Sequence, residues 1–420
     1  LLTESFEKAS EEPEEPEEPE EPEEPDMSVT ADTTLEEKYK PLSTVRDTLR
    51  IKWYRSPIDH QRLRSLSTRT DLQGWMQAGG HVLLYLVLAA LAAVLWVHQV
   101  WLGFWVALWC AGFVATFYKG TGAHELGHGT VFSTKSLNSI FLHFVCLISW
   151  WDPYDYAASH TYHHRYTTHR EADRENVLPL TPSLHPWLLF QLVTLNLFSK
   201  PARNFSKGGF LWTVYLTTRS ALGIPHGHTD IPSQEWLQKL HEDQPESFRL
   251  SVRWSRILLA FHAGILLISV LSGWWVLPLL ITLPSYIANI GSYLLGTCQH
   301  CGLKENNPDF RKNTRSIRIY PFLEFLYWHM NWHIEHHMYA GVPCYNLKAL
   351  AKELETDMPE PRSLLAAWKE MRETWQQQKY DVNYAFDTPV PANSQESRVY
   401  VEDDVVNSIG DLAPEGSDIS

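Results

Sequence analysis

Two long stretches of this sequence carry no formal charge. No Asp, Glu, Lys or Arg occurs between Leu72 and Tyr118, or between Ile257 and Leu303. A helix on the surface of a water-soluble domain keeps one polar face, whereas a helix in lipid can be apolar all round. Each window has room for two crossings at ~20 residues per ~30 Å of hydrocarbon. Breaks at His98 and Gln99, and at Ser272 and Gly273, predict four helices over 82–97, 101–118, 257–271 and 276–297. The turns between them lack Lys and Arg, while the flanks carry Arg62, Arg64, Arg69, Lys119, Arg253, Arg256, Lys304, Arg311 and Lys312. Positive flanks stay in the cytoplasm. The expected fold is therefore an all-α integral membrane protein, with four transmembrane helices in two hairpins, a cytoplasmic helical cap and both termini cytoplasmic. An inner membrane and an endoplasmic reticulum would suit the pattern equally.

Two shorter apolar stretches, 136–151 and 176–199, are expected to lie in or near the interface. The first is too short to span, and Pro179, Pro182 and Pro186 interrupt the second. The tails explain the overall charge of −14. Residues 1–26 carry −12 and residues 381–420 carry −8, so the remainder is mildly basic, at about +6. That balance gives no support to a nucleic-acid partner. The Pro-Glu-Glu repeat over 11–25 cannot bury apolar surface. We read 1–44 as a disordered acidic tail, with Met27 the expected true start, 45–380 as one membrane domain, and 381–420 as a second disordered acidic tail.

The chemistry is written in the histidines, of which there are twenty. His124, Glu125 and His128 follow the second expected helix; His160, His163 and His164 follow the short apolar stretch; His300 closes the fourth helix; His333, Glu335, His336 and His337 come next. Residues three or four apart share a helix face, so each box can gather its imidazoles, all on the cytoplasmic side of the topology read from charge. The first box matches the zinc-protease pattern H-E-x-x-H, but one zinc takes at most four ligands and would leave two boxes idle. Nine imidazoles suit two metals of higher coordination, iron among them.

In the order and spacing of these boxes, over about residues 75–345, the sequence resembles the membrane fatty acid desaturase/hydroxylase superfamily, the histidine-box non-heme diiron enzymes. The resemblance implies an all-helical membrane fold, two iron ions, O2 as cosubstrate, and electrons from an external donor. By position, the iron ligands and catalytic residues would be His124, His128, His160, His163, His164, His300, His333, His336 and His337. It also implies an oxidoreductase acting on an aliphatic, usually fatty acyl, chain. Desaturation is the first expectation; a hydroxylase (monooxygenase) of an alkyl or lipid-like substrate, or an oxidative decarboxylase releasing an alkene, are the alternatives. From a different class, a histidine-rich metal transporter or a zinc metalloprotease remains open. Glu125, Asp152 and Glu335, with Asp155 and Asp173, are candidates to orient the ligands from behind.

The sequence shows no haem domain and no G-x-G-x-x-G opening a helix, so a ferredoxin or cytochrome b5 is expected as electron partner. Cys298 and Cys301 form a lone CxxC without the second pair a zinc ribbon needs, and packing around His300 is the simpler reading. His226 and His228 sit in a Pro/Gly loop that reads as a surface turn, and His143 and His262 fall within apolar stretches. The Trp-rich ends of those stretches fit interfacial belts.

Overall fold

The computed structural model describes residues 39–175, 181–201, 208–224, 232–392 and 394. Among these, three helices are long and apolar enough to cross a membrane: Asp71–Val97, Trp101–Gly127 and Pro245–Ser272. The first starts where the Thr70 hydroxyl accepts the Gln73 N–H, a side-chain cap for one of the otherwise orphaned donors. A tight turn at His98, Gln99 and Val100, with Gln99 in the left-handed region, reverses the chain into the second. The apolar window of the first helix is only 17% buried and that of the third 22%. Leu83, Val87, Leu91, Val94, Leu266 and Val270 stand exposed. Such surface is costly in water and free of that cost in lipid.

The fourth expected helix does not form as one helix. Residues 276–297 break into a π-turn at Pro278–Thr282, a 3-10 turn at Pro284–Tyr286 and a helix of seven residues at Ile290–Gly296. Pro278 and Pro284 each lack an N–H and clash with the preceding turn, and Ala288 adopts a positive φ. The freed backbone groups find partners inside the protein. Tyr85 donates to the Leu280 carbonyl and Trp150 Nε1 to the Thr282 carbonyl at 2.9 Å. The Asn196 N–H donates to the Tyr286 carbonyl at 2.8 Å and the Ala288 N–H to the Thr194 carbonyl at 2.9 Å. Irregular backbone among apolar spans is tolerated on that condition.

The two shorter apolar stretches also fall short of spanning helices. Lys135–Ser149 has 15 residues, ~22 Å at 1.5 Å each, and ends at Trp150 in the left-handed region. Pro186–Val193 has eight residues, and residues 176–180 lie outside the described set.

Among the described residues the rest is helices and connecting loops, with a two-residue parallel pairing of Ile317–Arg318 with Arg362–Ser363 and isolated bridges. Leu42 and Val45 are buried on the helix Leu42–Thr48. At the other end the Phe386 N–H donates to the Gly302 carbonyl at 2.8 Å, and Asp387 pairs with Lys304 and Lys312.

Candidate metal centre

Each histidine box is delivered by a different local device. The second span is broken near its end, where Lys119 has ψ 124° and Gly120 φ +84°. Helix then resumes at Ala123–Gly127, turning His124 and His128 away from the axis of the span. The second box rides on the helix Pro153–Tyr166. Asp152 caps it by accepting the Tyr154 and Asp155 N–H groups, and Pro153 occupies the first helical position. The third box is the short helix His333–Met338, entered through Trp328 and His329 at positive φ. His300 lies in the turn after Ile290–Gly296.

These devices bring all nine box and lone histidines together, in two groups. His124, His128, His160, His164 and His336 form one; His163, His300, His333 and His337 form the other; within each, the ligating atoms lie within 4.8 Å of one another. The boxes do not map one to a group. Neighbouring residues on a helix point ~100° apart, so the doublets His163/His164 and His336/His337 split, one member to each group.

The nitrogens converge as lone pairs around a cation would. His336 Nε2 lies 2.7 Å from His124 Nε2 and 3.2 Å from His164 Nε2. His333 Nε2 lies 3.1 Å from His300 Nε2 and 3.2 Å from His337 Nε2. Three ring nitrogens meeting at one place cannot satisfy one another. Both nitrogens of His128, and His160 Nε2, are buried without a hydrogen-bond partner, a state native interiors rarely tolerate. Burial first, and then the neighbouring imidazoles, pull His164, His333, His336 and His337 well below the ordinary histidine pKa. Neutral rings are the ligating form, so the residues present fit two imidazole-bound metal ions.

Behind the rings stands a set of oxygen partners. His163 Nδ1 lies 2.8 Å from Asp173 Oδ2 and His160 Nδ1 3.3 Å from Glu175 Oε1. His124 Nδ1 meets the Tyr156 hydroxyl at 3.1 Å, His337 Nδ1 the Thr167 hydroxyl at 3.1 Å, and His300 Nδ1 the Asn313 carbonyl at 3.0 Å. At His163 burial alone would lower the pKa, but the Asp173 and Glu175 charges outweigh it and hold it above the ordinary value. A field that favours a proton there also favours a metal cation.

Of the expected supporting carboxylates, Asp173 is the one hydrogen-bonded to a box histidine, His163. Glu125 lies among the five-histidine group, its Oε1 3.7 Å from His124 Nε2 and 3.6 Å from His336 Nδ1. Asp152 instead caps its helix and accepts the Ser251 hydroxyl at 2.6 Å. Asp155 meets His241 at 2.7 Å, not a box histidine. Glu335 accepts the Ser316 hydroxyl at 2.6 Å, and burial pushes its carboxyl up to about 7. Glu175, Tyr156, Thr167 and Asn313 were not anticipated. Glu175 alone had a signal, as a second acid two residues after Asp173.

His143 is held by the Ser139 carbonyl at 2.8 Å and the Tyr154 hydroxyl at 3.2 Å. His262 meets the Leu147 carbonyl at 3.0 Å and the Thr282 hydroxyl at 3.2 Å. Both are structural bridges. Cys298 and Cys301 are buried and form no disulfide, and their carbonyls accept from Arg315 at 2.6 and 3.1 Å. His226 and His228 lie outside the described residues.

The family model described as Fatty acid desaturase matches residues 99–367 of the chain, a span that contains every histidine of both groups. A comparison with curated proteins gave no match.

Proposed function

Because this chain belongs to the fatty acid desaturase family, we propose that it is a membrane-bound, O2-dependent diiron oxidoreductase that introduces a double bond into an aliphatic chain, a fatty acyl chain in the simplest case. The observation that carries the proposal is the pair of buried groups, five imidazoles and four, drawn from three boxes and one lone histidine. In this reading the first iron is held by His124, His128, His160, His164 and His336, and the second by His163, His300, His333 and His337. Iron bound there would supply the O2 chemistry needed to take hydrogen from an unactivated methylene.

The chain's own residues do the rest. The rings are buried, His336 entirely and the others with at most 7% exposed, which keeps bulk water from the reacting carbon. Tyr156, Thr167, Asp173, Glu175 and the Asn313 carbonyl hold the ring planes from behind. The balance is R–CH2–CH2–R plus O2, two electrons and two protons giving R–CH=CH–R and two waters. Those electrons come from a separate ferredoxin or cytochrome b5 type donor. In this reading the basic flanks of the apolar segments would face the cytoplasm, the side on which such a donor would dock.

The other classes fit less well. A zinc protease needs His124 and His128 to hold one ion beside an open cleft, yet both are buried among histidines of the other two boxes. A transporter would place its ligands near the middle of a span, whereas the first box stands at the end of Trp101–Gly127. The test is metal content of the purified protein, with lipid and hydrocarbon profiling of a host that expresses it. About two irons per chain and a new unsaturated lipid support the proposal. A hydroxylated lipid or a shortened alkene would replace desaturation with the corresponding reaction, and a single zinc with no oxygen uptake would sink it.

A further inference from the structure

After the second-box helix ends, the chain turns back on itself. Thr168 takes a positive φ, and the Ala172 and Asp173 N–H groups both bond the His169 carbonyl, at 2.9 and 2.8 Å. Asp173, Arg174 and Glu175 are thereby laid behind the helix they have just left. Asp173 is 1% exposed and Glu175 8%. Burying two carboxylates two positions apart in a chain is unfavourable unless each finds strong partners. Each does, and the partners belong to different metal groups.

Asp173 Oδ2 faces His163 Nδ1 at 2.8 Å and also accepts the Thr168 N–H at 2.8 Å, while Oδ1 accepts the Glu175 N–H at 2.9 Å. Glu175 Oε1 faces His160 Nδ1 at 3.3 Å, and Oε2 accepts the Ser159 hydroxyl at 2.6 Å. That hydroxyl in turn accepts the indole N–H of Trp236 at 2.9 Å. Trp236 is 1% exposed and sits on the helix Pro232–Asp243, which is far away in sequence. Arg174, between the two acids, pairs with Glu235 of that same helix. A carboxylate on Nδ1 fixes the tautomer so that Nε2 carries the lone pair. His163 belongs to the four-histidine group and His160 to the five-histidine group.

We propose that Asp173 and Glu175 are a pair of positioning residues, one per metal: Asp173 orients His163 for the four-histidine site, and Glu175, braced by Ser159 and Trp236, orients His160 for the five-histidine site. The inference rests on the diiron reading and adds to it that the two sites are supported separately by a single three-residue turn. Loss of a carboxylate behind a metal-bound histidine typically weakens binding 10–100-fold, so each acid should govern one site.

The experiment loads purified wild type, Asp173→Asn, Glu175→Gln and Trp236→Phe with 57Fe(II), reading iron per chain and Mössbauer spectra. Wild type should hold two irons in two resolvable environments. Asp173→Asn should weaken and shift one quadrupole doublet, and Glu175→Gln the other, each variant falling toward one iron per chain. Trp236→Phe should move the same doublet as Glu175→Gln, by less. A loss of folding alone would not select one doublet. Should an amide variant fail to fold, Asp173→Glu and Glu175→Asp, which keep the charge and shift it by one methylene, are read in the same way. Equal changes in both doublets, or none in either, would overturn the inference while leaving the diiron reading intact. Wild type without iron would overturn the diiron reading itself, and this inference with it.

Discussion

Gly120 decides where the first box points, and replacing it separates backbone conformation from packing. A Cβ at this position would meet nothing within 4 Å, so Gly120→Ala meets no steric contact; what it meets is φ +84°. Holding a non-glycine residue there costs ~1–3 kcal/mol. The chain can accept that strain or relieve it by continuing the helix through Lys119 and Gly120. Relief would rotate everything beyond the break and swing His124 and His128 out of the five-histidine group. Of these two outcomes the membrane spans are indifferent to the second, so the loss should appear at the metal. With the strain taken as ~2 kcal/mol, affinity for the first iron falls by about 30-fold. The control is Gly127→Ala in the following turn, where a Cβ also meets nothing within 4 Å but no positive φ is required. That change should be neutral or stabilising by ~0.5–1 kcal/mol. The assay is iron retained against a graded chelator series, with the thermal midpoint in detergent measured in parallel. A Gly120→Ala protein that keeps both its iron affinity and its midpoint would refute the role of the break in aiming the box.

Three further outcomes follow from the same geometry. His163→Ala and His336→Ala, one from each group, should each abolish activity and lower bound iron while membrane insertion, tested by alkaline extraction, is unchanged; full activity in either would remove that ligand. His300→Gln keeps a polar side chain near the Asn313 carbonyl but removes the ring, and should cost a large part of the iron in the four-histidine group; unchanged iron content would leave His300 a structural residue. Purified protein should consume no oxygen with NAD(P)H alone and should turn over once a ferredoxin or cytochrome b5 system is added; turnover without it would remove the external donor.

Much of the candidate site was legible because histidine boxes are local patterns. The i, i+4 relation of His124 and His128 needs no tertiary knowledge. The uncharged windows marked the apolar segments for the same reason, since lipid excludes charge residue by residue. The splitting of His163 from His164 and of His336 from His337 departs from the expectation that each box gathers its own imidazoles, since adjacent helix positions point ~100° apart. Asp152 could have been recognised as a cap from the proline that follows it. The broken stretch 276–297 had its signal too, in Pro278 and Pro284, but mean hydropathy does not distinguish a helix from an apolar chain folded otherwise. Tyr156, Thr167 and the Asn313 carbonyl were not readable. Each reaches its histidine through tertiary packing, and a backbone carbonyl leaves no trace in the residue type.

The interrupted stretch also fixes an order of assembly. In hydrocarbon each unpaired backbone group costs several kcal/mol, so a chain emerging with its carbonyls exposed at Leu280, Thr282 and Tyr286 would be a poor substrate for membrane insertion on its own. Tyr85, Trp150 and Asn196, which satisfy those carbonyls, all precede it in the sequence, as does Thr194, which accepts the Ala288 N–H. A ribosome has therefore already made the receptor for this segment before it reaches Pro278. Assembly would then be directional: residues 276–297 would join last, onto partners already made, and the same segment fused to an unrelated leader should fail to insert into a bilayer on its own.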